Sequence, residues 1–129
     1  MDIKIKRAYE KPDDSDGYRI LVDRLWPRGV TKEKAELDAW LKELAPSTDL
    51  RRWYGHDPSK WSEFKLRYFG ELEDKPESVH ELLKHVQRGT VTLVYSAKEQ
   101  RLNNAVALRE YISTIHPEPK NSLGGRSGI

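Results

Sequence analysis

Arg24 and Arg28 bracket Trp26 just past an apolar run, in the segment VDRLWPRG at residues 22–29. Charged side chains normally stay in solvent, and ordering a guanidinium costs side-chain entropy. Two of them beside Asp23 at the end of a buried strand therefore point to bidentate recognition of a phosphate, sulfate or carboxylate group. A second polar set follows the β-branched run TVTLVY at residues 90–95: Ser96, Lys98 and Arg101, then Asn103 and Asn104 where a helix is expected to begin. Backbone N–H groups of a loop that feeds a helix attract anions, so two neighbouring strands would collect both sets in one pocket. The expected ligand contacts are Arg24, Trp26, Arg28, Ser96, Lys98 and Asn104, with Trp53 as a further wall; Asn103 reads as a helix cap. The competing structural reading pairs Asp23 with an arginine and leaves Lys98 and Arg101 on a solvated loop.

His56 and Asp23 are the candidate proton carriers. Imidazole titrates near neutrality, but Asp57 beside His56 already serves as a cap for the next helix. No pair of residues dictates a reaction, so the sequence leaves catalysis open. The segment RRWYGHDPSKW at residues 51–61 mixes cations with aromatics. Such a mixture stacks bases and touches phosphates in single-stranded nucleic acid. The reading preferred here is Trp53 and Trp61 as core anchors with Arg51, Arg52 and Lys60 snorkelling over them. A nucleic-acid or protein-interaction module without catalysis is thus the alternative to a small-anion pocket.

Composition removes several classes. The chain has no cysteine, which excludes disulfides, thiolate catalysis and Cys-ligated zinc or iron–sulfur sites. No zinc, P-loop or nucleophile-elbow pattern occurs, and no metal or cofactor is expected. His80 and His85 stand five apart, a poor ligand spacing, and with His116 they are expected at the surface. The aspartates of KPDDSDG, residues 11–17, lack calcium-loop spacing and read as a solvated turn. Twenty-three Lys and Arg against twenty-one Asp and Glu leave a net charge of +2 in 129 residues, too little for bulk attraction to nucleic acid. No run has the length of a membrane span or the form of a signal peptide, so a cytoplasmic protein is expected. Nothing in the sequence addresses oligomeric state.

The elements that position these residues follow from periodicity. Ile3 and Ile5 alternate with lysines as in a half-buried strand whose cations stay in water, and Ile20-Leu21-Val22 reads as a strand covered on both faces. Thr31 caps a short helix through Ala35, Ser47 or Thr48 another through Tyr54, and Asp57-Pro58 starts a third with Phe64, Tyr68 and Leu72 inward and Lys60, Lys65 and Glu71 outward. Val79, Leu82, Leu83 and Val86 define the clearest helix, and Ala105, Leu108, Ile112 and Ile115 the last. Residues 37–44 have helical spacing yet also alternate as a strand. The expected fold is a single small α/β domain over residues 1–116, with a central, partly parallel sheet of about four strands flanked by helices, and a flexible tail at 117–129.

The phrases RILVDRLWPRG, WLKELAPS, LRRWYGHDP and TLVYSAKEQRLNNAVALREY resemble the YeaO-like bacterial proteins, a branch of the domain-of-unknown-function family 488. In the wider family one strand ends in a DVR segment, which Val22, Asp23 and Arg24 match. Another ends in a cysteine-bearing segment whose place residues 94–98 occupy here. The resemblance puts Ser96 where a cysteine would stand, so no thiol mechanism carries over and Ser96 becomes a hydrogen-bonding group. It also recasts residues 37–44 as a short strand, because relatives place an extended segment before the APS turn, and that is the expectation adopted here.

Overall fold

The computed structural model describes residues 2–115; His116 and the tail expected to be flexible lie outside them. Four strands, β1 (Ile3–Arg7), β2 (Tyr18–Leu21), β3 (Ala39–Trp40) and β4 (Val91–Tyr95), form one sheet in the order β1-β4-β2-β3. Every pairing is parallel, so the partly parallel sheet expected from sequence is parallel throughout its described strands. The helices are α1 (Lys32–Ala35), α2 (Thr48–Tyr54), α3 (Trp61–Glu73), α4 (Pro76–Arg88) and α5 (Asn104–Ile115).

β4 is buried along its whole length because it lies between β1 and β2 with both faces covered. Alternation then divides its side chains. Val91, Leu93 and Tyr95 join Ile20 and Val22 in the main core with α2, α3, α4 and α5, whereas Val94 and Leu21 turn to a smaller cluster with Ala8, Leu37 and Trp26. The caps are those the sequence signals. Thr31 accepts from the Lys34 N–H, Ser47 from Leu50, Asp57 from Ser59 and Asn103 from Val106. Tyr68, fully buried on α3, donates to the Leu44 carbonyl at 2.5 Å, and burial pushes its phenol far above the ordinary range.

Several expectations are corrected. Residues 37–44 contain only a two-residue strand, Ala39–Trp40, and then a 3-10 turn at Lys42–Leu44; the helical spacing reflects Leu44 and Leu41 reaching the core from that turn. The turn at 11–17 is not merely solvated. Asp16 is buried and paired with Lys6 at 3.0 Å and with buried Arg19 at 2.6 Å, so the Lys6 cation of β1 is engaged as well. Glu71 does not face water: its carboxylate accepts from the Ser47 N–H and hydroxyl at 2.8 and 2.6 Å, tying the start of α2 to α3. His85 is largely buried, stacked on Tyr18 with ring centroids 4.1 Å apart. Ile115 is exposed.

Candidate functional site

Because the strands run parallel, the C-terminal ends of β1, β2 and β4 open at one edge of the sheet, the edge where α/β folds place ligands. A cavity of about 660 Å³ lies there, within the range of small-molecule sites. Its walls are built from just beyond each strand: Tyr9 after β1, residues 23–28 after β2, and Ser96 and Ala97 after β4. Asn103 and Asn104 at the head of α5 and Arg51, Arg52 and Tyr54 of α2 line it as well.

Asp23 knots these walls together. One carboxylate oxygen accepts from the Ser96 N–H at 2.9 Å and the Ser96 hydroxyl at 2.7 Å; the other accepts from the Asn104 amide at 3.1 Å, which also donates to the Val22 carbonyl. Its backbone carbonyl accepts from the Trp40 indole at 2.7 Å. Asp23 is therefore a clamp between the ends of β2 and β4 and the start of α5, and it does not pair with Arg24 or Arg28. From β1, Arg7 donates to the Ala97 and Ser96 carbonyls at 2.8 and 3.2 Å and holds the same loop from the other side. Replacing Asp23 with Ala is expected to cost about 1–3 kcal/mol, since the Ser96 and Asn104 donors lose their acceptor. Urea denaturation measures that loss, and faster hydrogen exchange at the Ser96 amide locates it.

The clamp leaves the cations of the cavity unopposed. Arg24, Arg28, Arg51 and Arg52 all line it, Asp23 is its one carboxylate, and none of the four arginines forms an ion pair among the described residues. The Nε of Arg24 is buried with no hydrogen-bond partner among the described residues. The arginine loop itself is tethered. The Trp26 indole donates to the Val30 carbonyl at 2.6 Å, and Tyr9 donates to the Arg28 carbonyl at 3.0 Å.

Of the residues singled out by sequence, Asp23, Arg24, Trp26, Arg28, His56, Ser96 and Asn104 surround this one cavity. Trp53 and Lys98 do not line it. Trp53 packs on the main core and is covered by Lys60 and by Arg67, whose guanidinium carbon is 4.4 Å from its ring centroid. Lys98 is exposed, because the loop after β4 turns Ser96 and Ala97 inward and the lysine out. Sequence reasoning assigned Arg51 and Arg52 to a separate segment and passed over Tyr9, for which no local signal exists. His56 takes a left-handed backbone, φ 58°, directly after Gly55 at φ 53°, a conformation uncommon for a residue with a side chain. That double turn ends α2 and brings the imidazole to the rim beside Tyr54, ring centroids 5.9 Å apart. Glu99 is held below the usual carboxylate range by the Arg101 and Leu102 backbone N–H groups, which it accepts at 2.7 and 3.1 Å. Among the described residues no cluster of three or more acidic or imidazole groups is placed to hold a metal, and no helix is long and apolar enough to cross a membrane.

No solved structure matches the chain. YeaO of Escherichia coli, an uncharacterized protein, is 39% identical over 115 residues, covering 89% of this chain and all of that one. The uncharacterized proteins Mb3100c of Mycobacterium bovis and Rv3073c of Mycobacterium tuberculosis are 38% identical over 111 residues, 86% of this chain and 93% of theirs. A family model described as the inactive DUF488-N3 subclade matches residues 2–124. With nearly the whole chain spanned by that model and by relatives of similar length, the protein belongs to the DUF488 family, in the subclade so described.

Proposed function

We propose that the protein binds a small anionic ligand in the cavity at the strand ends and performs no chemistry on it. One observation carries this reading: among the described residues, four arginines without a carboxylate partner line a cavity whose one carboxylate is already engaged by Ser96 and Asn104. Arg28, Arg51 and Arg52 are exposed and Arg24 is half-buried, so an oxyanion in the cavity finds guanidinium donors able to give it bidentate hydrogen bonds. Arg24 is the central contact, since its buried Nε has no acceptor among the described residues. Ser96 and Asn104 act indirectly, since their donors are spent on Asp23 and Val22 and serve to hold the wall in place.

Two points support binding without catalysis. The Ser96 hydroxyl donates to Asp23, but that carboxylate also holds the Ser96 N–H and Asn104, so its arrangement is that of a clamp more than of a free general base. The matching family model, too, is described as an inactive subclade. His56, at the rim, has no carboxylate hydrogen-bonded to it among the described residues and serves as a further polar contact.

A thermal-shift screen against inorganic phosphate, sulfate and phosphorylated or carboxylated metabolites tests the reading. A ligand at a hundred times its dissociation constant stabilises the native state by about 2.7 kcal/mol, several degrees for a domain of this size. Arg24→Ala is expected to abolish the shift while the unliganded melting transition stays cooperative. Persistence of the shift in Arg24→Ala would move the anion elsewhere and sink the proposal.

A further inference from the structure

The same cavity carries a second property, and the inference drawn from it rests on the anion reading above. At about 660 Å³ the cavity is in the size range of small-molecule sites, larger than a bare phosphate or sulfate requires. The remaining wall is apolar and aromatic. Leu25, Pro27, Ala45 and Pro46 line it together with rings from five residues: Tyr9, Trp26, Tyr54, His56 and Phe64. Tyr54 and Phe64 are buried and stacked on each other at 4.4 Å, so they form a fixed floor. Tyr9, Trp26 and His56 keep ring surface accessible. Both Tyr9 and Trp26 are pinned by their polar tips, to the Arg28 and Val30 carbonyls, which presets their orientation before any ligand arrives.

We infer that the ligand is a phosphomonoester carried on a flat ring: the phosphate dianion sits among Arg24, Arg28, Arg51 and Arg52, and the ring packs against Trp26 and Tyr9. A dianion is favoured over a carboxylate because four arginines line the cavity against one carboxylate that is already engaged. A free small molecule is favoured over a nucleic-acid strand because the cations next along α3 are already neutralised, Lys65 by Glu110 and Arg67 by Glu63. A strand needs a continuing cationic track, and the chain's net charge is only +2.

Isothermal titration with inorganic phosphate, methyl phosphate, phenyl phosphate and a 5′-phosphorylated ten-nucleotide oligothymidylate separates the outcomes. Phenyl phosphate is expected to bind at least tenfold more tightly than methyl phosphate. Trp26→Leu is expected to lower the ratio of phenyl to methyl phosphate affinity several-fold, whatever the loss of its Val30 tether does to both, and Arg24→Ala to lose both. Should Trp26→Leu unfold, the comparison of the two esters on the wild-type protein decides the matter alone. Equal affinity for methyl and phenyl phosphate overturns the ring while leaving the anion site intact; binding by none of the four probes overturns the anion site as well. Tighter binding of the oligonucleotide, falling steeply with salt, overturns the small-molecule form in favour of a strand.

Discussion

Asp16→Asn is expected to destabilise the protein by about 3 kcal/mol, because breaking a buried ion pair from one side leaves an uncompensated cation behind. Arg19 is the cation that suffers. Its side chain is 5% exposed, and it sits on β2, where its guanidinium also donates to the Ala35 and Glu36 carbonyls at the end of α1. Lys6, at 19%, reaches water more easily, which keeps the loss at the lower end of the range for buried pairs. Burial alone would raise the Asp16 carboxyl, but the hydrogen bonds from Lys6, the Asp13 N–H and Arg19 outweigh it and hold the group below the usual carboxylate range. A carboxyl whose pKa is lowered by folding stabilises the native state at pH values above its unfolded value, near 3.9, and that contribution fades as pH falls through the lower folded value. Wild-type stability should therefore drop more steeply than that of Asp16→Asn below about pH 4. Urea melts at pH 7 and across pH 2–5 measure both effects. As a contrast, Lys84→Ala, which removes an exposed pair with Glu81, should change stability by no more than about 0.5 kcal/mol. Similar losses in the two variants would mean that the Asp16 pair is no more than a surface contact.

That network is also where the sequence is least legible. KPDDSDG has the composition of a solvated turn, and nothing local marks Asp16, alone among its aspartates, as buried. The available signal is Arg19, a charge one residue ahead of Ile20-Leu21-Val22 in a strand covered on both faces. Strand alternation puts Arg19 on the same side as Leu21, the side of the smaller core, where only a nearby carboxylate makes it tolerable. Local signals did locate the helices, because caps such as Thr31, Asn103 and Asp57-Pro58 act within a few residues. They also located one half of the candidate site, since an arginine pair at a strand end is a local pattern. The other half required tertiary structure. Arg51 and Arg52 join the cavity only because α2 packs across the sheet edge, and Trp53, next along the helix, turns by a hundred degrees onto α3 and away from it.

The clamp at Asp23 explains how a site can keep its geometry in a subclade described as inactive. In the wider family's pattern, as the resemblance implies, a cysteine stands near the end of β4. Here Ser96 donates to Asp23, and Arg7 fixes the carbonyls of Ser96 and of the next residue, Ala97. The loop is thereby ordered without a reactive atom, and on the proposed reading an anion would bind there with little cost of loop ordering.

Gly17→Ala is expected to cost about 3 kcal/mol or more, through steric overlap added to backbone strain. Gly17 has φ 66°, and a Cβ there would stand against the Thr90 carbonyl oxygen and 2.8 Å from the Thr90 Cβ. Neither side has room to yield. Thr90 precedes β4, and its carbonyl accepts from the Tyr18 N–H at 2.9 Å, the bond that begins the β2–β4 ladder; moving it away would break that bond. Moving Gly17 instead would drag Asp16, whose carbonyl accepts from the Thr92 hydroxyl at 2.7 Å and whose carboxylate holds Arg19. Gly29→Ala supplies the control, because φ is 79° there but a Cβ meets nothing within 4 Å. It should cost about 1 kcal/mol, the penalty of a left-handed residue with a side chain and no more. Urea denaturation of the two variants beside the wild type separates the contributions. Equal losses would assign the whole cost to backbone conformation and remove the approach of Thr90 as the reason that position 17 needs a glycine.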